Sequence, residues 1–225
     1  MKISIEKKVS SHKGILVVPV FEENLEKNDL NRPKFVNDFL RERVKQNEFK
    51  AKKGEILLAY PGEKSLPDKI LVVGFGKEKS FKDKVARELG AKISHTASGH
   101  KVADVSVLLG HELVKSSEAF FQGFFLKQYK FKKFKSVDKK NTDKELEKLE
   151  IIVDEKFKNE VAAGVKKAET VCGAVALVKD LVNSPSDVVH AQYLANEAKK
   201  IAKENKYKLA VLGKKELTKL GCGGI

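Results

Sequence analysis

The sequence predicts an α/β fold: a mixed sheet flanked by helices, followed by a second and shorter α/β segment. Two observations lead to this prediction. Short apolar runs bounded by glycine or proline alternate with helical patterns over roughly the first 155 residues, and this alternation is typical of layered α/β domains. A long helical pattern then ends at Asn183-Ser184-Pro185, after which a new series of elements begins.

Six short segments in the first part have the character of strands. The chain opens on one of them, and another precedes the long helix. The remaining four are continuous apolar runs, which are typical of strands buried on both faces of a sheet. In chain order the six segments are 1–5, 14–20, 54–60, 69–74, 104–110 and 149–153.

Two helices are predicted between these strands. Residues 81–98 carry an apolar residue at every fourth position from Phe81 to Ala97, which gives one apolar stripe. We expect Ser80 to cap this helix, with Asp83 in its first turn. A second helix is expected to open at Ser116 or Ser117 and to run through Phe125.

The C-terminal third begins with a predicted long helix over 157–182, which Pro185 ends because proline disfavours helical geometry in the preceding residue. We then expect a helix over 191–205, a strand over 208–212 and a short helix over 214–220. A lone strand cannot form a stable sheet. The predicted organisation is therefore a first domain over 1–155, a linking helix over 156–182 and an incomplete α/β domain over 183–225.

Composition sets broad limits on function. The 225 residues carry a formal net charge of +14, which attracts polyanions, yet the lysines are spread over nearly every segment and a solvated basic surface explains them better. No apolar run approaches the ~20 residues of a membrane span, and no leader pattern opens the chain. We expect a cytoplasmic protein without membrane attachment. The two cysteines, Cys172 and Cys222, form no disulfide framework, and Cys172 is predicted to be a core residue.

Two motifs indicate a family. Residues 119–136 combine a helix containing Gln122-Gly123 with a following Tyr129-x-Phe131 and further lysines. Residues 179–185 read Lys-Asp-Leu-Val-Asn-Ser-Pro, and a Gly-rich turn follows at 221–224. In order and spacing these segments resemble the leucyl (cytosol) aminopeptidases, although Gln122 stands where Glu is usual, Phe134 where Tyr is usual and Lys179 where Arg is usual.

The resemblance implies a macro-like N-terminal domain followed by a larger catalytic domain, in enzymes that usually form hexamers and release N-terminal residues from peptides. Two divalent metal ions (zinc, manganese or magnesium) polarise the peptide carbonyl and supply the attacking hydroxide in such enzymes. Their ligands follow the Gly-rich turn, so we expect them downstream of Ile225. No catalytic, cofactor-binding or metal residue is predicted within this chain, and the chain alone is expected to be inactive.

Several local patterns could suggest other sites. Asn141-Thr142-Asp143-Lys144-Glu145 mimics a metal-binding motif of the family but precedes the Asn-Ser-Pro turn, and a capped turn explains it better. Residues 127–140 interleave aromatics with lysines and could bind single-stranded nucleic acid, although packed aromatics with solvated lysines are favoured. Gly74-Phe75-Gly76 lacks the third glycine of a dinucleotide turn, and no two of the five histidines have the spacing of a helical zinc site. The alternative function is a basic macro-like module that binds nucleic acid or a nucleotide.

Overall fold

The computed structural model describes residues 1–9, 13–25, 32–61, 67–134 and 145–223. The chain divides into two compact units, Met1–Ala176 and Leu177–Ile225. The first unit contains a six-stranded sheet flanked by helices, as the sequence predicts. The second unit is helical in its described part.

Six strands form the sheet of the first unit. In space they lie in the order β1-β6-β5-β2-β4-β3. All neighbours are parallel except β3, which runs antiparallel to β4 at one edge. The strands are β1 (Lys2–Glu6), β2 (Ile15–Phe21), β3 (Ile56–Ala59), β4 (Lys69–Gly76), β5 (Asp104–Leu108) and β6 (Lys148–Ile152).

The helices of the first unit lie on both faces of this sheet. They are α1 (Lys34–Lys45), α2 (Asp83–Gly99), α3 (His111–Val114), α4 (Ser117–Gln128) and the long α5 (Lys158–Asn183), whose last residues belong to the second unit. Residues of α2, α3, α4 and α5 share one apolar core with one face of the sheet. On the opposite face α1 packs over β2 and β4 in a second core. Burial on both faces explains the continuous apolar runs of β2, β4 and β5.

The helix predicted over 81–98 is confirmed, but Ser80 does not cap it as expected. Residues Glu78–Ser80 form a single 3₁₀ turn, and α2 begins at Asp83 after Lys82, whose backbone is extended. Ser80 is two residues too early to reach the free N–H groups of the first helical turn. Ser116, in contrast, stands directly before α4 as expected, but its hydroxyl donates to Asp83 Oδ1 across the helix pair at 2.8 Å rather than capping its own helix.

The second unit contains the end of α5, a turn at 184–190, α6 (Ala191–Asn205) and α7 (Lys214–Lys219). The Ser184 hydroxyl donates to Asp180 O at 2.7 Å and holds the end of α5. The predicted strand over 208–212 is wrong: residues 207–213 are described and form no strand, and Leu209, Val211 and Leu212 are 45–50% exposed. Strand geometry is stabilised by hydrogen bonds to a neighbouring strand, and the described part of this unit provides none.

Candidate functional site

The topology of the sheet creates a crevice between β2 and β5. These strands are parallel neighbours, but the chain leaves them towards opposite faces. After β2 it passes through the 3₁₀ turn Glu22–Asn24 to α1 on one face, and after β5 it enters α3 and α4 on the other. Where adjacent parallel strands send their connections to opposite faces, a crevice opens outside their carboxyl ends, and ligands of α/β proteins bind there.

A cavity of about 500 Å³ occupies this position, and we call it the switch-point cleft. Its volume lies within the range of small-molecule sites. The carboxyl ends of β1, β2, β5 and β6 contribute to its walls, as do the residues before α1 and the start of α3. The apolar part of the lining includes Val18, Phe21, Leu108, Leu113, Ile152 and Val153, all of which are buried.

Three polar residues connect the two sides of the switch-point cleft. Arg32, which precedes α1 and is 9% exposed, donates from Nη1 to Asn24 O at 3.3 Å. Asn24 donates from Nδ2 to Glu112 Oε1 of α3 at 2.6 Å. The Glu112 side chain is 10% exposed. A cation and an anion, both largely removed from water, are thus held on the two sides of one cavity by the same asparagine.

Further charged residues of both signs line the cleft. Lys7 and Lys8 follow β1 and are exposed, and Asp154 follows β6. Among the described lining residues none is a serine, cysteine or histidine that could act as a nucleophile. The arrangement is therefore suited to binding a ligand with charged groups and an apolar body.

The described residues do not provide the ligands that the two metal ions of leucyl aminopeptidases would need. Within them no three His, Cys, Asp or Glu side chains are grouped so that they could hold a metal ion. His95, His111 and His190 are exposed at separate places and His100 follows the end of α2. We therefore derive no catalytic step through a metal at these residues.

The structure describes only parts of the metal-like motif at 141–145 and of the aromatic and basic segment at 127–140. Asn141–Lys144 of the metal-like motif lie outside the described residues, and Glu145 forms an ion pair with Lys132. In the aromatic and basic segment, the rings of Phe131 and Phe134 contact each other with centroids 5.9 Å apart. Lys135–Lys140 also lie outside the described residues. No described helix is long and apolar enough to cross a membrane.

Gly74-Phe75-Gly76 forms the end of β4. A side-chain carbon on Gly74 would lie 2.3 Å from Lys52 O, so this glycine permits the close approach of the neighbouring backbone. The glycines thus have a packing role here. Cys172 is buried, as predicted, and its thiol lies 3.5 Å from Gln122 O.

The sequence did not indicate Asn24, Arg32 or Glu112 as site residues. They lie far apart in the chain and belong to no recognisable motif. The available signal was positional, because Asn24 and Glu112 each follow the carboxyl end of an apolar strand. Without the strand order, nothing in the sequence shows that these ends are neighbours.

The signature segment 119–136 has a structural role in its helical part. Phe120, Phe121 and Phe124 of α4 are fully buried, and the carbonyl oxygens of Phe120 and Arg87 closely approach glycines of the facing helix. Gln122 accepts hydrogen bonds from Nε and Nη2 of Arg87 on α2 at 3.1 and 2.9 Å. The motif therefore specifies how α4 packs on α2.

Comparison with known proteins places the chain in a family. Residues 17–138 match the model of the cytosol aminopeptidase family, N-terminal domain. A probable cytosol aminopeptidase of Pseudomonas aeruginosa is 32% identical over 187 residues, which cover 80% of this chain and 37% of that protein. One from Alkaliphilus oremlandii is 27% identical over 222 residues, covering 92% of this chain and 43% of that protein. The chain thus spans about two fifths of the length of these relatives.

Solved structures share the fold. A mutant of tomato leucine aminopeptidase superposes with a TM-score of 0.73 at 21% identity, over 98% of this chain and 46% of the other. The bottromycin maturation enzyme BotP in complex with Mn gives a TM-score of 0.65 at 18% identity, over 92% and 40% of the two chains. At these identities the likeness concerns the fold alone. It is the sequence match over more than half of its residues that shows that the chain belongs to the cytosol aminopeptidase family, of which it carries the N-terminal domain.

Proposed function

We propose that these 225 residues act as the N-terminal part of a metal-dependent aminopeptidase that releases N-terminal residues from peptides. The observation that carries this proposal is the match of residues 17–138 to the N-terminal domain of the cytosol aminopeptidase family. The motif at 179–185, read from the sequence as the entry to a catalytic domain, supports it. Peptides are then the substrates, and the relatives' names make the cytoplasm the expected compartment.

The catalytic metals belong to residues beyond those described here. Two divalent ions, Mn, Zn or Mg, are proposed for the full-length enzyme, and a Mn complex is known for the structural neighbour BotP. When bound, such ions polarise the peptide carbonyl and activate water. The described residues group no suitable ligands, so we assign this first domain a supporting role in folding and assembly.

The finer organisation is proposed as follows. Residues 1–155 form a macro-like N-terminal domain, residues 156–182 link it to the next domain, and residues 183–225 contribute the first elements of the catalytic domain. The exposed apolar residues Leu209, Val211 and Leu212 support this assignment, because clustered exposed apolar side chains are typical of a surface that another part of a protein covers. Assembly into a hexamer is proposed from the family. The nucleic-acid alternative has no support among the relatives.

Activity assays test the proposal directly. The purified 225-residue chain is expected to release no p-nitroaniline from leucine-p-nitroanilide with Mn²⁺ or Zn²⁺ present. A chimera that joins residues 1–182 to the catalytic part of the Pseudomonas aeruginosa relative is expected to hydrolyse this substrate in a chelator-sensitive way. Chelator-sensitive turnover by the 225 residues alone would contradict the assignment of the metal ligands to other residues.

A further inference from the structure

The acidic residues that line the switch-point cleft already have partners within the protein. Glu112 accepts a hydrogen bond from Asn24 at 2.6 Å and lies 3.5 Å from His111 Nδ1. Asp154 accepts from the backbone N–H of Lys156 at 3.4 Å, and the Lys156 ammonium lies 4.0 Å from its other carboxylate oxygen. Because both carboxylates are satisfied locally, neither requires a positively charged ligand.

Lys7 and Lys8, in contrast, are available to a ligand. Both follow β1, line the cleft and are exposed. Neither side chain forms an ion pair or hydrogen bond with another residue in the described part of the chain. Each ammonium group offers three hydrogen-bond donors, and two adjacent positive charges at the edge of a cavity raise the local concentration of anions. The lysines therefore favour a ligand that carries a negative charge.

The buried part of the lining is apolar. Val18, Leu108 and Ile152 come from three neighbouring strands and belong to the core under α1, whereas Phe21 and Leu113 belong to the core on the other face of the sheet. Side chains of both cores thus meet at one cavity of about 500 Å³. Such a surface binds the apolar part of a ligand, because association removes apolar area of both molecules from water.

We propose that the switch-point cleft binds a small amphipathic anion, with its apolar chain or ring against the strand ends and its anionic head group at Lys7 and Lys8. Charge complementarity carries the assignment, since the acidic residues of the lining are paired and these two lysines are not. Carboxylates and phosphate monoesters are both head groups that ammonium groups bind. The proposal goes beyond the peptidase function proposed above and does not depend on it.

Calorimetric titration of the 225-residue chain tests the proposal with probes that vary one feature at a time. Octanoate and octyl phosphate carry the two head groups, and the tighter of them identifies which one the cleft prefers. At least one is expected to bind about tenfold more tightly than octylammonium, which reverses the charge, and at least tenfold more tightly than its four-carbon analogue, which buries less apolar area. Absence of binding by both anions, equal binding of octylammonium, or tighter binding of AMP, whose body is polar, would overturn the proposal.

A double variant tests the role of the lysines. Lys7→Gln/Lys8→Gln is expected to weaken binding of the preferred anion about threefold to tenfold, because each exposed ion pair contributes little, and to leave binding of octanol unchanged. The matched control is Lys50→Gln/Lys52→Gln, which removes the same charge at two exposed lysines outside the described cleft lining. Equal weakening by both double variants would show a general effect of net charge and refute the assignment.

Amide chemical shifts of the labelled 225-residue chain locate the bound anion. Addition of octanoate or octyl phosphate is expected to shift signals of the cleft lining, including those of Lys7, Gly110 and Asp154. Signals of α6 are expected to stay unchanged. Shifts confined to the second unit, whose exposed Leu209, Val211 and Leu212 could contact an alkyl chain, would overturn the proposal.

Discussion

Replacing Gly123 by alanine is expected to destabilise the first unit by forcing α2 and α4 apart. A carbon added to Gly123 would lie 1.9 Å from Arg87 O, and one added to Gly90 on the facing helix would lie 2.0 Å from Phe120 O. The two helices thus cross with backbone against backbone. Real side-chain carbons do not come within 3.0 Å of such an atom, so the helices must separate by about 1 Å at the crossing.

The loss in free energy of unfolding can be estimated from the contacts that this separation of the helices weakens. Leu89 and Ile93 of α2 and Phe120, Phe121 and Phe124 of α4 are at most 2% exposed, and a gap of about 1 Å forfeits up to about half of the dispersion energy of the affected contacts. Overpacking of this kind costs about 1–3 kcal/mol, and we take the upper value because the obstacle is backbone. Alanine has a higher helix propensity than glycine, which offsets this loss by about 1 kcal/mol. The net loss is about 2 kcal/mol.

Guanidinium chloride unfolding followed by circular dichroism measures this effect. The midpoint is expected to fall at constant slope, and the thermal midpoint is expected to fall by roughly 4–8 °C for a chain of this size. Gly173→Ala is the matched control, because Gly173 also lies within a helix but an added carbon there meets nothing within 4 Å. That variant is expected to gain about 0.5–1 kcal/mol. The reasoning would be refuted if Gly123→Ala were as stable as the unmodified chain.

Two further predictions concern polar contacts of the first unit. Gln122 Nε2 donates to Glu118 Oε1 at 3.0 Å one helical turn away, and Gln122→Glu replaces this bond by repulsion between two carboxylates. A double-mutant cycle with Glu118→Ala, measured by chemical unfolding, is expected to show an unfavourable coupling of about 0.5 kcal/mol, and strict additivity would contradict it. Ser106 donates to the 1% exposed carboxylate of Glu150 at 2.8 Å, so Ser106→Ala is expected to cost about 1–3 kcal/mol in the same assay. Ser98→Ala, which removes only a bond to the preceding helical turn, is the control and is expected to be close to neutral; equal losses would contradict the role of Ser106.

The elements that the sequence predicted correctly are those with a local signal. The apolar runs of β2, β4 and β5 and the stripe of α2 depend on residues that are near one another in the chain, and the structure confirms them. The motif at 119–136 indicated the family, and the family match confirms it. The helical part of this motif packs closely on α2, where an added carbon on Gly123 would lie 1.9 Å from Arg87 O.

Two predictions were wrong, one because the segment lacks a partner strand among the described residues and one because a neighbouring turn shifts the start of a helix. The segment 208–212 has the composition of a strand, but composition supplies no neighbouring strand, and residues 207–213 form none. Ser80 has the chemistry of a helix cap, but the 3₁₀ turn Glu78–Ser80 delays the helix to Asp83. In both cases the residue types suit the predicted element, but the surrounding structure does not provide the geometry that the element requires.

The sequence by itself determined the α/β class, most of the elements and the family of this protein. Only the tertiary structure decided where a ligand site could lie. Lys2 pairs with Lys148 across the β1–β6 contact, and such long-range pairing leaves no local trace because it is selected by the burial of whole strand faces. Once the strands are ordered, parallel pairing brings their carboxyl ends to one edge, and Asn24, Arg32 and Glu112 meet there although 88 positions separate the first from the last.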